Sequence, residues 1–140
     1  MTPTETTNGR SLSLTILYIA LAGAAGTLAR FGAERVVSGR LATLLVNFVG
    51  SLILGFVVHC ATRSGAVAPE LRSALTIGFC GAFTTMSTFS YESLALLVQG
   101  QYGRAALYMG ATLVGCLAAV FAGMAVAERV RLSQRWYQAF

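Results

Sequence analysis

The feature that most constrains this chain is the length of its apolar blocks. Four of them fall at about residues 12–31, 41–61, 71–98 and 105–127. A helix rises 1.5 Å per residue, so about 20 residues cross a hydrocarbon core of roughly 30 Å. Inside lipid every backbone N–H and C=O needs a partner within the protein, and runs of this length meet that need as helices. The sequence therefore predicts an all-α membrane protein with four transmembrane helices.

Composition supports this class. Apolar residues make up 56% of the 140 residues and charged residues only 11%, whereas soluble domains carry about 25% charged residues. We predict a single transmembrane domain over residues 11–128. A polar, disordered tail is expected over residues 1–10, and a basic tail over residues 129–140.

The charged residues exclude several classes of function. The net charge of +5 comes entirely from Arg, and these residues lie beside or between the apolar blocks, as anchors at the headgroup layer do. No stripe suited to nucleic acid is present. Nothing resembles a hydrolytic triad or a P-loop, so we do not expect an enzyme. A proton-coupled carrier needs an ionisable group inside the membrane, and we place Glu34 and Glu92 near the ends of their blocks.

The distribution of Arg leaves the orientation open. Four spans put both termini on one side, where six Arg residues would lie against four on the other. An Arg excess normally fixes orientation, and this bias is weak. Either the orientation is merely hard to predict, or the chain inserts both ways and pairs head to tail. The six are Arg10, Arg63, Arg72, Arg129, Arg131 and Arg135, and the four are Arg30, Arg35, Arg40 and Arg104.

Small residues recur four positions apart, which lets helix backbones approach closely in a membrane. Because four short helices offer few interior contacts, we expect some of these faces to meet another subunit. The pairs are Ala22 and Gly26, Ser51 and Gly55, Ala111 and Gly115, and Ala119 and Gly123.

The middle of the third block is unusually polar. It reads GFCGAFTTMSTFSYE, with five hydroxyl residues within seven positions after Gly78 and Gly81. One or two such residues can bond back to the carbonyls of their own helix. Five beside two glycines favour an irregular or broken helix, whose free carbonyls must face protein, water or an ion. The hydroxyl residues are Thr84, Thr85, Ser87, Thr88 and Ser90.

Asn47 is the unusual residue of the second block, because an amide at the bilayer centre either bonds across helices or lines a pore. Both interpretations stay open from the residues alone. The three cysteines, Cys60, Cys80 and Cys116, match no zinc spacing, and we interpret them as small packing residues. For His59 we expect a solvated position at a helix end.

The stretch GFCGAFTTMSTFSYE resembles the signature of the CrcB/Fluc fluoride channels. LVNFVGSLILG (residues 45–55) is similar to that family's second helix, and GAAGTLAR (residues 23–30) to its first. The resemblance implies a fluoride-specific channel of the bacterial inner membrane that exports fluoride passively. It also implies an antiparallel, dual-topology homodimer with two pores and a third helix broken at its centre. A structural, untransported Na⁺ is expected at the dimer centre.

The resemblance also assigns residues. The Na⁺ ligands fall on the backbone carbonyls of Gly81 and Thr84, and Asn47 falls on a fluoride-contacting amide. The family's pair of stacked phenylalanines falls on Met86 and Phe89, so this sequence departs from the pattern at Met86. A thioether lacks the positive ring edge that attracts an anion, although its length and apolarity suit the same space.

The remaining fluoride-pathway candidates are hydrogen-bond donors. On the fourth block Tyr108, Thr112 and Cys116 share one helix face, at positions where the family carries a Tyr and two hydroxyl residues. Thr43 lies one turn before Asn47. Uncharged donors can replace the water of fluoride without holding the ion too tightly. The hydroxyls of the third block, Ser87 and Thr88 among them, are donors of this kind.

Two other functions remain as alternatives. A small four-span drug or cation exporter can also be an antiparallel dimer, but it would need an acidic residue midway through the first span. A non-transporting membrane scaffold would show no flux after purification.

Overall fold

The computed structural model describes the backbone of residues 3–64 and 67–138, and the side chains of residues 12–62 and 67–130. All regular secondary structure in these ranges is helical, as predicted. The elements in chain order are α1 (Pro3–Val36), α2 (Arg40–Ser64), α3 (Pro69–Ser73), a π-helix (Ala74–Cys80), α4 (Gly81–Phe83), α5 (Met86–Val98) and α6 (Tyr102–Gln138).

Three of the described helices are long and apolar enough to cross a membrane. The qualifying stretches are Leu12–Val36, Arg40–Thr62 and Tyr102–Val130, with mean hydropathies of 1.8, 2.3 and 2.0. They contain the predicted first, second and fourth spans. The predicted third span, residues 71–98, is divided among several shorter elements, so length and hydropathy do not identify it as a crossing.

The helices at both ends extend further than predicted. Helix α1 begins at Pro3, so the backbone of residues 3–10 is helical where a disordered tail was expected. Proline is well tolerated in the first turn, and adding residues to an existing helix avoids the cost of nucleation. Helix α6 likewise continues through most of the predicted basic tail to Gln138. Residues 1–2 and 139–140 lie outside the described range.

Glycines set the contact between α1 and the π-helix. A Cβ at Gly26 would overlap the carbonyl oxygen of Phe79, and one at Gly78 would lie 2.7 Å from the carbonyl oxygen of Ile19. Backbone therefore meets backbone on this face. The predicted pair Ala22 and Gly26 is used inside one subunit.

The contact between α2 and α6 follows the same principle. A Cβ at Gly55 would overlap the carbonyl oxygen of Val120, and a Cβ at Gly123 would overlap that of Leu52. Neither helix can be moved outward without losing this close packing, which is the main source of helix association in lipid. The π-helix and α4 pack mainly against α1, whereas α5 packs against α6 and α2.

The backbone changes character between α3 and α5. One and a half turns of α-helix pass into a π-helix, and α4 then ends after three residues. Thr84 (φ −79°, ψ 160°) and Thr85 (φ −146°, ψ 107°) are extended. The helical path is thus interrupted within the hydroxyl-rich stretch, between the two halves of residues 71–98.

A tight turn returns the chain from α5 to α6. Gly100 has a φ of +71°, which a residue without a Cβ adopts at little cost. Its N–H donates to the Leu97 carbonyl and the Gln101 N–H to the Leu96 carbonyl, the paired bonds of a Schellman motif. Helix α5 consequently packs against α6. Their buried cluster consists of Phe89, Leu96, Ala105 and Tyr108.

Candidate functional site

The two extended residues Thr84 and Thr85, here called the interruption, are held against α2 by Asn47. The Thr85 N–H donates to Asn47 Oδ1 at 2.7 Å, and Asn47 Nδ2 donates to the Thr85 carbonyl at 3.1 Å. Asn47 is 8% exposed and Thr85 is 4% exposed, so both bonds are shielded from water. An extended residue has no helical partners, and here one amide side chain supplies both.

Thr85 also caps the helix that follows it. Its hydroxyl oxygen accepts from the Thr88 N–H at 3.2 Å, and its O–H donates to Thr88 Oγ1 at 2.9 Å. The Ser87 hydroxyl lies 3.3 Å away. A threonine with extended backbone at this position satisfies an otherwise unpaired N–H of the first turn. The hydroxyl-rich sequence thus starts α5 and ends the helical path before it.

Two carbonyls lose their helical donors as a result. The Gly81 carbonyl would pair with the Thr85 N–H in a continuous helix, but that N–H donates to Asn47. The Thr84 carbonyl would pair with the Thr88 N–H, which donates to the Thr85 hydroxyl. These carbonyls are the two predicted sodium ligands. The Arg30 guanidinium donates to the Thr84 carbonyl at 3.4 Å, a long and weak contact.

A cleft of about 320 Å³ lies beside the interruption. Its walls come from α2, α6 and the segment from the π-helix to α5, and none of the residues that line it is charged. Hydroxyl, amide and thiol groups alternate there with apolar side chains. The lining residues are Asn47, Gly50, Ser51, Leu54, Thr76, Cys80, Gly81, Thr84, Met86, Phe89, Thr112, Leu113 and Cys116.

Most of the predicted site residues meet at this cleft. From the predicted fluoride pathway it brings together Asn47, Met86, Phe89, Thr112 and Cys116. The carbonyl-bearing residues predicted for sodium, Gly81 and Thr84, line it as well. These side chains come from three separate parts of the sequence.

Met86 and Phe89 contribute differently to the walls. Met86 is 66% exposed, whereas Phe89 is 5% exposed and packs against the ring of Tyr108, with ring centroids 5.4 Å apart. Among the described side chains, the stacked aromatic pair is instead Phe79 and Phe83, with ring centroids 5.6 Å apart and 11° between planes. Of the predicted pair, Met86 is therefore the exposed member and Phe89 the buried one.

The other predicted residues lie beside the cleft rather than on it. Ser87 and Thr88 belong to the hydroxyl cluster around Thr85. Thr43 is 2% exposed and bonds to Tyr108. Thr112, which does line the cleft, donates its hydroxyl to the Tyr108 carbonyl at 2.8 Å. This carbonyl bond leaves the oxygen lone pairs of Thr112, and not its proton, towards the cleft.

Glu92 makes a hydrogen bond that the sequence did not predict. The Tyr108 hydroxyl donates to Glu92 Oε2 at 2.6 Å, a short bond of the kind that a charged acceptor makes. The predicted position of Glu92 near a span end was judged from sequence distance alone. A Glu followed after 16 positions by a Tyr is not a recognisable motif, because a turn of unknown geometry separates the two residues.

The expectation for His59 was wrong. Its side chain is 13% exposed and lies 2.7 Å from Glu128 on α6, so it is not solvated at a helix end. The close approach of α2 and α6 brings the two residues together at this depth. In the described ranges no three His, Cys, Asp or Glu residues cluster as metal ligands.

Comparison with known proteins identifies the family. The family described as CrcB-like protein, Camphor Resistance (CrcB), matches residues 17–124. The chain belongs to the CrcB family. A fluoride-specific ion channel FluC of Geobacter sulfurreducens is 41% identical over 122 residues, which cover 83% of this chain and 98% of that protein.

Two further relatives carry the same name. A fluoride-specific ion channel FluC of Stutzerimonas stutzeri is 42% identical over 116 residues, 79% of this chain and 94% of its own length. A fluoride-specific ion channel FluC of Methylococcus capsulatus is 41% identical over 129 residues; the match covers 88% of this chain and 57% of that longer protein. Together with the three long apolar helices, these relatives make this CrcB chain a multi-pass membrane protein.

Proposed function

We propose that this chain is a fluoride-specific ion channel that lets fluoride leave the cell passively. The observation that carries the proposal is an uncharged cleft that contains the Asn47 amide, in a chain 40–44% identical to fluoride-specific channels. It is not an enzyme, because its family consists of ion channels.

Fluoride is small and strongly hydrated, so its pathway must replace water with other donors. Asn47 can hold Thr85 and still serve the ion, since an amide nitrogen carries two N–H groups and only one of them is used. The edge of the Phe89 ring adds a weaker, positive contact. Because none of the lining residues is charged, the ion is not held too strongly to leave.

The membrane potential supplies the driving force. Fluoride enters cells as neutral HF and dissociates inside, and a negative-inside potential drives the anion out with about 2.3 kcal/mol per 100 mV. No carboxylate or imidazole lines the cleft, so the cleft offers no group for coupling to protons. Passive flow is sufficient for export under these conditions.

A growth experiment tests the function in cells. Expression in a fluoride-sensitive bacterial strain should restore growth in fluoride and give no protection against quaternary amines. Protection against the amines instead of fluoride would support the small drug exporter and contradict the channel. Protein that is present in the membrane but protects against neither would support a non-transporting scaffold.

The cleft is open in a single chain, and a second copy completes it in this proposal. Met86 on the rim is 66% exposed, and Ile77 on the adjoining face of the π-helix is 65% exposed. The near balance of Arg on the two sides suits copies inserted in opposite directions. An antiparallel homodimer would then contain two equivalent pathways. Single-cysteine labelling from both sides of the membrane tests the dual topology.

The proposed dimer requires a fourth crossing. Residues 69–98 supply it in two halves, with the interruption at Thr84 and Thr85 near the middle of the bilayer. Irregular backbone at that depth is tolerated where it lines a cavity or is buried in protein, and both conditions are met beside the cleft. The expected location is the bacterial inner membrane.

Sodium fits the same interruption. The carbonyls of Gly81 and Thr84, which lack their helical donors, are hard oxygen ligands, and two copies would provide four of them. These carbonyls would coordinate Na⁺ in place of their missing N–H donors, and the shared ion would join the two copies. Exchange of sodium for N-methylglucamine during purification should lower the thermal stability of the dimer, since a ligand bound only to the folded state stabilises it. An unchanged melting temperature would contradict a structural sodium.

A further inference from the structure

Sulfur atoms are concentrated on the walls of the cleft. Cys80, Met86 and Cys116 all line it. They come from three elements: the last residue of the π-helix, the first residue of α5 and the middle of α6. Fluoride gains little from them, because a thiol is a weak hydrogen-bond donor and a thioether is none. Met86 and Cys116 are predicted residues of the fluoride pathway, but the affinity of sulfur for soft metals is a chemistry that the proposed channel function does not use.

The fold explains why these three residues line one cavity. Cys80 and Met86 stand on either side of the interruption, and the extended backbone of Thr84 and Thr85 redirects the chain between them. Helix α6 brings Cys116 to the same cavity. Cys60, the remaining cysteine, does not line the cleft and provides an internal reference.

We propose that the cleft is a binding site for soft d¹⁰ metal cations such as Ag⁺, held by the sulfur atoms of Cys80, Met86 and Cys116. Thiolate and thioether ligands select such ions, whereas hard divalent cations prefer carboxylate and carbonyl oxygen. No Asp, Glu or His lines the cavity, and the carbonyls of Gly81 and Thr84 are already assigned to the proposed sodium, so the sulfur atoms are the ligands left for a soft cation. The metal is inhibitory because it occupies the proposed fluoride pathway, an effect that rests on the proposed function.

The binding chemistry requires no redox partner. Each coordinating thiol forms an S–Ag bond and releases its proton to solvent, and the Met86 thioether binds through a lone pair without losing a proton. The oxidation states of silver and sulfur do not change. No Arg lines the cavity to repel a cation, and its volume of about 320 Å³ admits the ion.

Silver binding to purified protein tests the site directly. The protein is equilibrated with AgNO₃ in chloride-free buffer, and bound silver per chain is measured by elemental analysis after gel filtration. Cys60→Ser should retain tightly bound silver, and the cysteine-free variant Cys60→Ser/Cys80→Ser/Cys116→Ser should lose it. Met86→Leu should weaken binding by about tenfold or more, a loss typical of a removed metal contact. Equal binding in the cysteine-free variant, or unchanged affinity in Met86→Leu, overturns the three-sulfur site.

Fluoride efflux gives an independent readout. Each variant in liposomes is compared with its own silver-free rate. Saturating silver should slow efflux through the wild type and Cys60→Ser by about tenfold or more, and should leave Cys80→Ser/Cys116→Ser unaffected. If silver slows fluoride efflux through that double variant as much as through the wild type, the proposal is contradicted. Cleft-dependent silver binding without any fluoride efflux would refute the channel function and keep the metal site, whereas efflux without silver binding would do the reverse.

Discussion

The amide of Asn47 and the backbone of Thr85 are joined by two hydrogen bonds, although 38 positions separate them in sequence. The pair fixes the interruption against α2 and releases the carbonyl of Gly81 from its helical donor. One N–H of Asn47 remains for the cleft. The residue that shapes the broken backbone is thus also a residue of the proposed pathway.

Replacing Asn47 by Asp should reduce fluoride efflux by about tenfold or more. The carboxylate cannot donate to the Thr85 carbonyl, offers no N–H to fluoride and repels the anion. The matched control is Gln99→Glu, which makes the same amide-to-carboxylate change at an exposed helix end. The rates are measured in liposomes and divided by the amount of folded dimer. Undiminished efflux in Asn47→Asp would remove Asn47 from the pathway.

The Met86 position offers a gain-of-function test. Met86→Phe places a ring with a positive edge at the rim of the cleft, one helical turn from the buried Phe89. We expect faster fluoride efflux than in the wild type with fluoride selectivity kept. Met124→Phe, on a partly exposed position of α6 away from the cleft, should leave the rate unchanged. A slower Met86→Phe channel would show that the thioether is required there.

Tyr108→Phe should lower both stability and flux. It removes the hydroxyl that donates to Glu92 and leaves a half-buried carboxylate without this partner, which costs about 1–3 kcal/mol. Tyr91→Phe is the matched control, because Tyr91 is 74% exposed. Thermal unfolding in detergent and efflux in liposomes report the two effects. If the two variants behave alike, the bond to Glu92 has no role in either property.

The glycines of the helix contacts predict a contrasting pair of variants. Gly123→Ala should reduce the yield of monodisperse protein, since the added Cβ meets the backbone of Leu52 and Phe56, which cannot move aside. Gly110→Ala meets nothing within 4 Å and should be neutral or stabilising by up to about 1 kcal/mol, the helix preference for Ala. Size-exclusion profiles and melting temperatures compare them. Equal behaviour would contradict the close contact of α2 and α6.

The sequence was sufficient for the helical class because helix length and apolarity are local properties. It also singled out Asn47 and the hydroxyl residues, since polar groups at such depth need a reason. It did not reveal that Asn47 bonds to Thr85, because side-chain partners across 38 positions depend on how helices pack. For the same reason, the sequence placed Glu92 near the end of a span without revealing its bond to Tyr108.

The errors have local causes as well. Residues 1–10 were expected to form a disordered tail, but a helix continues easily through polar residues once it has formed, as the backbone of α1 does from Pro3. His59 was judged by its place along α2 alone. Its partner Glu128 lies on α6, and only the glycine-mediated approach of these helices brings the two together.

Fluoride efflux from liposomes tests the central claim most directly. Purified protein is reconstituted into vesicles loaded with potassium fluoride, valinomycin opens a potassium path, and a fluoride electrode records release beside a potassium chloride control. The account predicts rapid fluoride release without a proton or sodium gradient, and no comparable chloride release. Fluoride release that requires such a gradient, or none from well-folded dimers, would contradict a passive fluoride channel.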